Sequence, residues 1–445
     1  MRSILILGAG RSASSLIKYL VDHAQQEQWT IVVADREAQH AASLLKGASD
    51  VAKAMALDAT NAEARSAEIA KHDLVISMLP AFMHMDVVKD CIRLRKHVLT
   101  PSYVPDAMWP LDTEAKAAGL VLLNELGLDP GIDHMSAMRI IDRIKKDGGS
   151  FDAFESYCGG LVAPESDTNS WGYKFSWNPR NVILAGQGGS AKYIDQDITR
   201  YIPYNKLFQR TVNVSVPGFG AFDGYANRDS LKYRSHYGLD GIPTLKRGTL
   251  RKAGFCIAWD TFVQLGCTDD SFIMELGATA TWADYINAFL PPDAGRSTRL
   301  NLAYYLNLDP QGGIMQKLDE LGLFGEEPIG RSGLSPAGLL QHLLEQRWKL
   351  MPNDKDLVVM WHRFVYTKAG KKHELHASLT AIGQDQTYTA MAKTVGLPVA
   401  IAAKLVLNGR ITKRGVLMPL AAEIYDPVLD ELEQHGIVFS ETAAR

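Results

Sequence analysis

The sequence predicts an α/β protein whose first domain is built around a parallel sheet. Short apolar runs, which suit strands buried on both faces, alternate with helical patterns over residues 1–130. A glycine-rich turn follows the first of these runs at residues 8–13. The stretch at about 131–390 mixes strands and loops with a helix-rich segment at about 254–350. We therefore expect a second, mixed α/β catalytic domain that carries a helical insertion.

Length and composition narrow the class of protein. At 445 residues the chain is too long for one ordinary core, and 46% hydrophobic and 22% charged residues with a net charge of −3 are typical of a globular protein. Its basic clusters are short and isolated, so we expect no nucleic-acid partner. The four cysteines have no CxxC spacing, which predicts neither a disulfide framework nor a metal site. Because no apolar window approaches the roughly 20 residues of a membrane span, we expect a cytoplasmic protein without a membrane partner.

A dinucleotide-binding pattern opens the chain. The predicted strand 3–7 runs into Gly8-Ala9-Gly10-Arg11-Ser12-Ala13, and a helix is predicted over 14–23. In this arrangement Gly8 permits the tight turn, Gly10 lets a pyrophosphate approach, and Ala13 allows close helix packing. A second predicted strand, 30–34, ends in an acid about 20 residues beyond the turn, as such a fold expects. The first domain is therefore predicted to be of the Rossmann type.

Asp35, the acid at the end of the second strand, bears on the choice of cofactor. A carboxylate there would accept hydrogen bonds from the ribose hydroxyls and repel a 2′-phosphate, so we predict that NAD is preferred over NADP. Arg36 points the other way, because a guanidinium can pair with a phosphate or stack on adenine. The alternative for Asp35 is an ordinary residue at the end of a strand.

Further strands and helices complete the predicted sheet. Strands are expected at 51–57, 73–77, 97–100 and 120–123, with helices at 61–71, 83–93 and 106–117. Asp58 follows the third strand, where it could reach the adenine end of the cofactor. Leu79 follows the fourth, where it could line the cofactor cleft or simply pack in the loop.

The stretch 124–135 joins the two predicted domains. It follows an apolar strand and is ended by the turn residues of its Asp129-Pro130-Gly131 segment. Glu125, Asp129 and Asp133 therefore gather at the carboxyl edge of the sheet, where ligands of open α/β sheets bind. For Asp133 the alternative is a cap on the helix that begins near His134.

Longer blocks of sequence carry a family resemblance. They lie at residues 71–77, 96–104, 124–134, 156–161, 172–177, 227–230 and 247–252. These blocks resemble the glutamate-forming saccharopine dehydrogenases. The resemblance implies that about 390–445 completes the Rossmann-type domain. It also implies that aminoadipate semialdehyde and glutamate condense to an imine, which a nicotinamide cofactor reduces to saccharopine, with the reverse oxidation also possible. A small amino-acid substrate and a homodimer are expected.

The same resemblance assigns site residues by motif position. It implies that saccharopine contacts Ser102, Tyr103, Asp129, Cys158, Gly159, Arg228 and Thr249. It implies that the dinucleotide contacts Gly8, Gly10, Arg11, Ser12, Asp35, Arg36, Asp58, Leu79, Thr100, Leu128 and Trp177. Fungal members of the family use NADP and lack an acid where Asp35 stands, so the chain departs from them at this position.

Residue chemistry suggests roles for part of this set. Arg228 offers a planar fork to a carboxylate, or it forms a structural ion pair with Asp229. We expect Asp129, Tyr103 and Cys158 to be catalytic. Asp129 would orient or deprotonate the amine, with water relayed by Asp129 and Tyr103, although Asp129 could instead only shape its turn and Cys158 could be a core residue.

Two other functions remain open at this stage. A related enzyme such as a carboxynorspermidine-type or lysine-type dehydrogenase would act on a substrate with fewer carboxylates. A non-catalytic NAD(P)-binding protein would bind cofactor without turnover. The arginine-containing stretch 247–252, together with Arg228, favours the carboxylate-rich substrate.

Overall fold

The computed structural model describes residues 1–45, 47–48 and 50–443, which divide into two compact units. The first unit comprises Met1–Phe151, His236–Leu239 and Phe364–Arg445. The second comprises Asp152–Ser235 and Asp240–Arg363. The units contain a parallel sheet with helices and a mixed sheet with helices, so the predicted α/β fold class is confirmed.

Helices and strands alternate through the amino-terminal part of the first unit. In chain order they are β1 (Arg2–Leu7), α1 (Ser14–Glu27), β2 (Trp29–Asp35), α2 (Ala38–Leu45), β3 (Ala52–Ala56), α3 (Ala62–Ile69), β4 (Leu74–Ser77), α4 (His84–Leu94), β5 (His97–Leu99), α5 (Asp112–Ala117), β6 (Val121–Leu123) and α6 (Ile132–Lys146). The predicted helix over 106–117 is in fact a 3-10 helix at Asp106–Leu111 followed by α5, because Pro110 lacks the N–H that an α-helix would need there.

The remaining elements follow in the same order. They are β7 (Ser150–Val162), α7 (Pro179–Ile183), β8 (Ala191–Asp195), β9 (Ile198–Ile202), β10 (Thr211–Val216), β11 (Gly220–Ala226), β12 (Thr244–Lys252), α8 (Phe255–Leu265), α9 (Trp282–Asn287), α10 (Thr298–Tyr305), α11 (Gly313–Glu320), α12 (Pro336–Arg347), β13 (Asp356–Lys368), β14 (Lys371–Ile382), α13 (Ala390–Leu407), β15 (Gly415–Leu417), α14 (Ala422–Gln434) and β16 (Phe439–Ala443).

The sheet of the first unit is parallel throughout its described pairings. Among the described residues it has seven strands in the order β15-β6-β5-β4-β1-β2-β3. Strand β1 lies inside the sheet, and Ile4 to Leu7 are at most 1% exposed, which explains its unbroken apolar run. The order reverses beside β1, and the carboxyl edge at such a position is where ligands bind in this class of sheet. Strand β15 is too short to have been predicted from its own pattern.

Helix α13 packs directly against α1. The sequence predicts a helix over 388–408 interrupted at Gly396-Leu397-Pro398, whereas the structure has one continuous helix. A Cβ on Gly396 would lie 2.8 Å from the backbone nitrogen of Leu16, so the glycine serves close packing of the two helices. Contrary to the expectation from composition, this 18-residue helix is long and apolar enough to cross a membrane, but 83% of it is buried inside the protein. A buried core helix has the same composition.

The second unit combines a mixed sheet with a helical subdomain. Its strands follow the order β10-β11-β12-β7-β13, in which β12 pairs parallel with β7 and antiparallel with β11. Helices α8 to α12 occupy the region expected to be helical. Their core is rich in aromatic side chains and includes Trp171, Trp259 and Trp348, each at most 1% exposed. This packing supports the strand face described below.

Candidate functional site

The glycine loop connects β1 to α1. Gly8 has a φ of +97°, and a Cβ there would lie 3.0 Å from the carbonyl oxygen of Met78, so the position requires glycine. A Cβ on Gly10 would meet no atom of the described residues within 4 Å, which leaves the loop backbone open to a ligand at this point. No side chain caps the amino terminus of α1, whose backbone N–H groups suit a phosphate. The loop therefore fits the dinucleotide that its sequence predicted.

Asp35, the last residue of β2, holds the glycine loop in place. Its Oδ2 accepts a hydrogen bond from the backbone N–H of Ala9 at 2.7 Å, and its Oδ1 accepts one from the N–H of Glu37 at 3.0 Å. Nε2–H of His40 donates to the carbonyl oxygen of Ala9 at 2.9 Å. Both carboxylate oxygens thus have partners in the chain's own backbone, and Asp35 supports the turn.

Cationic and polar side chains flank this loop. Arg11 and Arg36 are exposed, and Ser12 is half-buried. Asp58, after β3, accepts hydrogen bonds from the hydroxyl and the N–H of Thr60 at 2.7 and 2.9 Å. These bonds lower the pKa of Asp58, and the nearby charge of Arg36 lowers it further. Arg36 therefore lies on the same side of the sheet edge as Asp58.

A buried histidine, which no local sequence pattern singled out, connects β4 to the loop after β5. Nδ1 of His84 lies 2.8 Å from Oγ of Ser77, and its Nε2 lies 2.7 Å from Oγ of Ser102 and 3.4 Å from Oγ1 of Thr100. Burial lowers the pKa of His84 to about 4, so the ring is neutral near pH 7. A neutral ring has one donor and one acceptor nitrogen, which correlates the hydroxyl orientations of the two serines. In the loop after β4, the half-buried Leu79 packs against the core of the first unit.

Tyr103 and Asp129 meet at the carboxyl edge of the parallel sheet. The Tyr103 hydroxyl donates a hydrogen bond to Oδ1 of Asp129 at 3.1 Å, although 26 residues separate them in sequence. The Asp129 loop is compact, because the N–H of Gly127 donates to the carbonyl oxygen of Pro130 at 2.8 Å. Leu128 is buried, and its carbonyl oxygen accepts a backbone hydrogen bond from the first turn of α6. A phenol and a half-buried carboxylate held together in this way can bind an amine and accept its proton.

The two other carboxylates of this loop are buried and bonded within the chain. Oε1 of Glu125 accepts from the N–H of Val104 at 3.0 Å, and its Oε2 lies 2.8 Å from Nε2 of His134. Asp133 lies in the first turn of α6, where its Oδ1 accepts from the N–H of Gly131 at 2.7 Å. Only Asp129 among the three predicted carboxylates is not fully buried.

In the second unit, one row of side chains crosses three strands. Tyr225 of β11 stands opposite Thr249 of β12, which stands opposite Cys158 of β7, so these side chains share a face of the sheet. Cys158 is buried. A Cβ on the adjacent Gly159 would lie 2.5 Å from the carbonyl oxygen of Leu250, so this glycine permits β7 and β12 to approach each other.

Arg251 lies on the same face as Thr249, two residues further along β12. It is 3% exposed, and its guanidinium carbon lies 5.3, 5.9 and 5.6 Å from the ring centroids of Tyr173, Tyr225 and Phe255. Its hydrogen bonds are to the preceding carbonyl oxygen at 3.2 Å and the Tyr225 hydroxyl at 3.5 Å, and no acid of the described residues forms an ion pair with it. A buried cation of this kind suits a carboxylate ligand. Alternation along 247–252 was the signal that could have identified it.

The last two predicted site residues also belong to the second unit. Nε1–H of Trp177 donates to the hydroxyl of Tyr173 at 3.1 Å, which links it to the ring that covers Arg251. Arg228 is exposed and has a φ of +43°. Asp229, its suggested ion-pair partner, lies 3.3 Å from Nζ of Lys192. The predicted residues are therefore divided between the two units.

Relatives of known name match the chain over its full length. It is 36% identical over 446 residues to the saccharopine dehydrogenase [NADP(+), L-glutamate-forming] of Pyricularia oryzae, with 98% of each chain covered. It is 34% identical to the protein of the same name from Saccharomyces cerevisiae, with 99% of each covered. It is also 34% identical to the alpha-aminoadipic semialdehyde synthase of Arabidopsis thaliana, where 99% of this chain matches 45% of that protein.

Solved structures show the same likeness. Apo saccharopine dehydrogenase (L-Glu forming) from Saccharomyces cerevisiae matches with a TM-score of 0.89 and 33% identity, and 100% of both chains is covered. Homospermidine synthase from Legionella pneumophila, solved with NAD, has a TM-score of 0.54 at 10% identity and covers 100% of this chain and 91% of that one. The second match reflects a shared fold alone.

The predicted preference for NAD over NADP is wrong. The fungal relatives are named for NADP(+), and the amino-terminal part of the chain matches an NADP binding domain. The physical reason lies in Asp35, whose two carboxylate oxygens accept hydrogen bonds from the N–H groups of Ala9 and Glu37. An acid used to hold the glycine loop does not by itself select the ribose hydroxyl.

Two family models together account for most of the chain. The saccharopine dehydrogenase NADP binding domain matches residues 4–123, and the saccharopine dehydrogenase C-terminal domain matches residues 127–437. The boundary between them falls at the Asp129 loop, at the edge of the parallel sheet. The resemblance found in the sequence blocks is thus confirmed, and the chain belongs to the saccharopine dehydrogenase family.

Proposed function

We propose that this chain interconverts saccharopine with aminoadipate semialdehyde and L-glutamate, with NADP(H) as its cofactor. The observation that carries the proposal is the Tyr103–Asp129 pair, held at 3.1 Å on the carboxyl edge of a sheet that begins with an open glycine loop. Full-length similarity to enzymes named for this reaction supports it. The first unit would bind the dinucleotide and the second the amino-acid substrate.

The cofactor supplies or accepts the hydride at the carbon of the C–N bond. Gly8, Gly10 and the amino terminus of α1 would hold its pyrophosphate. Arg11 and Arg36 are exposed beside this loop and would pair with the 2′-phosphate, because guanidinium groups match phosphate geometry. Ser12, Asp58, Leu79, Thr100, Leu128 and Trp177 remain proposed contacts to the rest of the dinucleotide.

Proton transfer at the reacting nitrogen belongs to the Tyr103–Asp129 pair in this proposal. Asp129 accepts the proton that the secondary amine of saccharopine loses on oxidation, and the hydrogen bond from Tyr103 keeps the carboxylate oriented. Water then adds to the oxidised carbon, and the C–N bond breaks to release the aldehyde and glutamate. Cys158 lies in the row that includes Thr249 and would hydrogen-bond the reacting nitrogen.

Carboxylate recognition is assigned to the strand face of the second unit. Arg251 is buried among aromatic rings without an acid of the described residues, so a carboxylate of the substrate would neutralise it. Arg228, Thr249, Gly159 and Ser102 remain proposed contacts. Saccharopine has three carboxylates, whereas carboxynorspermidine-type and lysine-type substrates have fewer, so this cation favours saccharopine.

Purified protein should oxidise saccharopine with NADP⁺, as followed by the absorbance of the reduced cofactor. Lysine serves as a control substrate that lacks the extra carboxylates. Arg36→Ala should lower kcat/KM for NADP⁺ by about 10- to 100-fold and change that for NAD⁺ little, because one charge-assisted pair to the phosphate is lost. A folded wild type that turns over saccharopine with neither cofactor would reject the proposal.

Cellular location and assembly remain expectations. Cys91, Cys158, Cys256 and Cys267 are free thiols in the structure, which supports a reducing compartment such as the cytoplasm. A homodimer is proposed alongside it, and light scattering of the purified chain would measure the mass of the assembly.

A further inference from the structure

Glu125 is a buried residue with an unusual conformation next to the Asp129 loop. It has a φ of +56°, in the left-handed region that few residues other than glycine adopt, and it is 1% exposed. It directly follows the end of the strand segment at β6, between Asn124 and Leu126. Such a conformation persists only where surrounding contacts determine it, and it is found more often near functional sites.

The contacts of Glu125 bracket Tyr103. The backbone N–H of Glu125 donates to the carbonyl oxygen of Ser102 at 3.0 Å, and its side-chain Oε1 accepts from the N–H of Val104 at 3.0 Å. Both chain neighbours of Tyr103 are therefore bonded to this one glutamate. The direction in which the Tyr103 side chain leaves the backbone is fixed as a result.

The same glutamate closes the base of the loop that carries Asp129. Oε2 of Glu125 lies 2.8 Å from Nε2 of His134, which belongs to the first turn of α6 and is 0% exposed. Nδ1 of His134 lies 2.6 Å from the hydroxyl of Tyr237, itself 1% exposed. Residues 125 and 134 are thus joined across the loop, and the arrangement places Asp129 opposite Tyr103.

We infer that Glu125 is a positioning residue for the Tyr103–Asp129 pair and that it acts through His134 and Tyr237. It touches neither Asp129 nor the Tyr103 ring in any described contact, so its effect is on the geometry of the two groups. The inference rests on the proposed function, in which that pair manages the proton. It adds a residue whose influence on turnover is indirect.

The test is a double-mutant cycle on steady-state turnover of saccharopine with NADP⁺. Glu125→Gln keeps the shape of the side chain but weakens the bridge to His134. In the wild-type background it should lower kcat by about 10- to 100-fold, because a displacement of about 1 Å in a catalytic group has effects of this size. In a Tyr103→Phe background the same substitution should lower kcat by less than about threefold, because the positioned hydrogen bond is already absent.

Glu68→Gln provides a matched control. Glu68 is also buried and also bonded to a histidine, with Oε1 lying 3.1 Å from Nε2 of His72, but both residues belong to the α3 end of the first unit. This variant should shift the melting temperature without changing kcat. The affinity for NADPH should be unchanged in both glutamine variants, since neither residue contacts the glycine loop in any described bond.

Two outcomes would overturn the inference. One is an equal loss of kcat from Glu125→Gln in the wild-type and Tyr103→Phe backgrounds, and the other is a kcat as high as that of Glu68→Gln. If Glu125→Gln does not fold, Tyr237→Phe replaces it in the same cycle, with the same direction and a smaller loss expected. A folded wild type without saccharopine turnover would instead reject the proposed function, and the inference would fall with it.

Discussion

The sheet edge of the first unit and the strand face of the second treat their charged groups in opposite ways. Asp129 and Glu125 each accept hydrogen bonds from the chain itself, from Tyr103 and from Val104. Arg251 is surrounded by aromatic rings and has no ion-pair partner among the described residues. The first region therefore fixes geometry before a ligand arrives, whereas the second keeps a charge that a ligand can neutralise. Substitutions in the two regions should have different signatures.

The largest effect is expected from Asp129→Asn in the first region. The amide oxygen can still accept the hydrogen bond from Tyr103, but the side chain can no longer take a proton. Turnover should fall by about 10²- to 10³-fold with little change in KM, because general base catalysis contributes effects of this size. Steady-state kinetics across pH would measure it. An unchanged kcat and pH profile would remove Asp129 from the proton transfer.

A pH effect on stability should come next, from His84. Its folded pKa of about 4 lies below the ordinary value of 6.5, so the unfolded state binds more protons between these two pH values. Stability is therefore complete above pH 6.5 and falls by about 3 kcal/mol as pH decreases toward 4. Urea unfolding at several pH values would measure this.

His84→Gln is the control for this prediction, because glutamine can hydrogen-bond both serines but does not titrate in this range. The variant should lose the part of the pH dependence that lies between pH 6.5 and 4. Identical pH profiles for wild type and variant would show that another group is responsible. Such a result would weaken the view that the first region is held by a neutral histidine.

Arg251→Met tests the second region and should have the next largest effect. Loss of a charge-assisted hydrogen bond to a carboxylate costs about 1.5–3 kcal/mol, so kcat/KM for saccharopine should fall by about 10- to 100-fold. The melting temperature should stay the same or rise, because the side chain removed is a buried cation without an acid. Lys252→Met, at an exposed neighbouring position, should change neither quantity much. A lower melting temperature with normal kinetics would make Arg251 structural.

Two glycines of the first unit offer the smallest and most selective contrast. Gly396→Ala adds a Cβ 2.8 Å from a backbone nitrogen, and the steric cost of about 1–3 kcal/mol should exceed the gain of about 1 kcal/mol in helix propensity. Gly10→Ala meets no described atom within 4 Å, so it should leave the unfolding free energy unchanged and weaken NADPH binding several-fold. Thermal melts and cofactor titrations would separate the two. If Gly10→Ala binds NADPH normally, the loop does not approach the pyrophosphate as proposed.

Local pattern was sufficient for the alternation of elements and for the position of the ligand edge. The apolar runs, the glycine turn before α1 and the turn residues around Asp129 each act over a few neighbouring residues, and the structure contains the predicted strands and helices there. The resemblance carried by the sequence blocks was also sufficient to identify the family. The short strand β15 and the continuous helix α13 were beyond local pattern, because both depend on packing against distant elements.

What only the tertiary structure decided is the partner of each polar side chain. Asp35 bonds to Ala9 across 26 residues, and His134 bonds to Tyr237 across 103. No periodicity in the chain records such pairings, since they arise where separate elements converge at one edge of a sheet. For this reason the sequence alone led from Asp35 to NAD, whereas the fold shows a carboxylate bonded to its own glycine loop. The sequence by itself determined that Asp129 lies at the site, and the fold determined that Tyr103 and Glu125 hold it there.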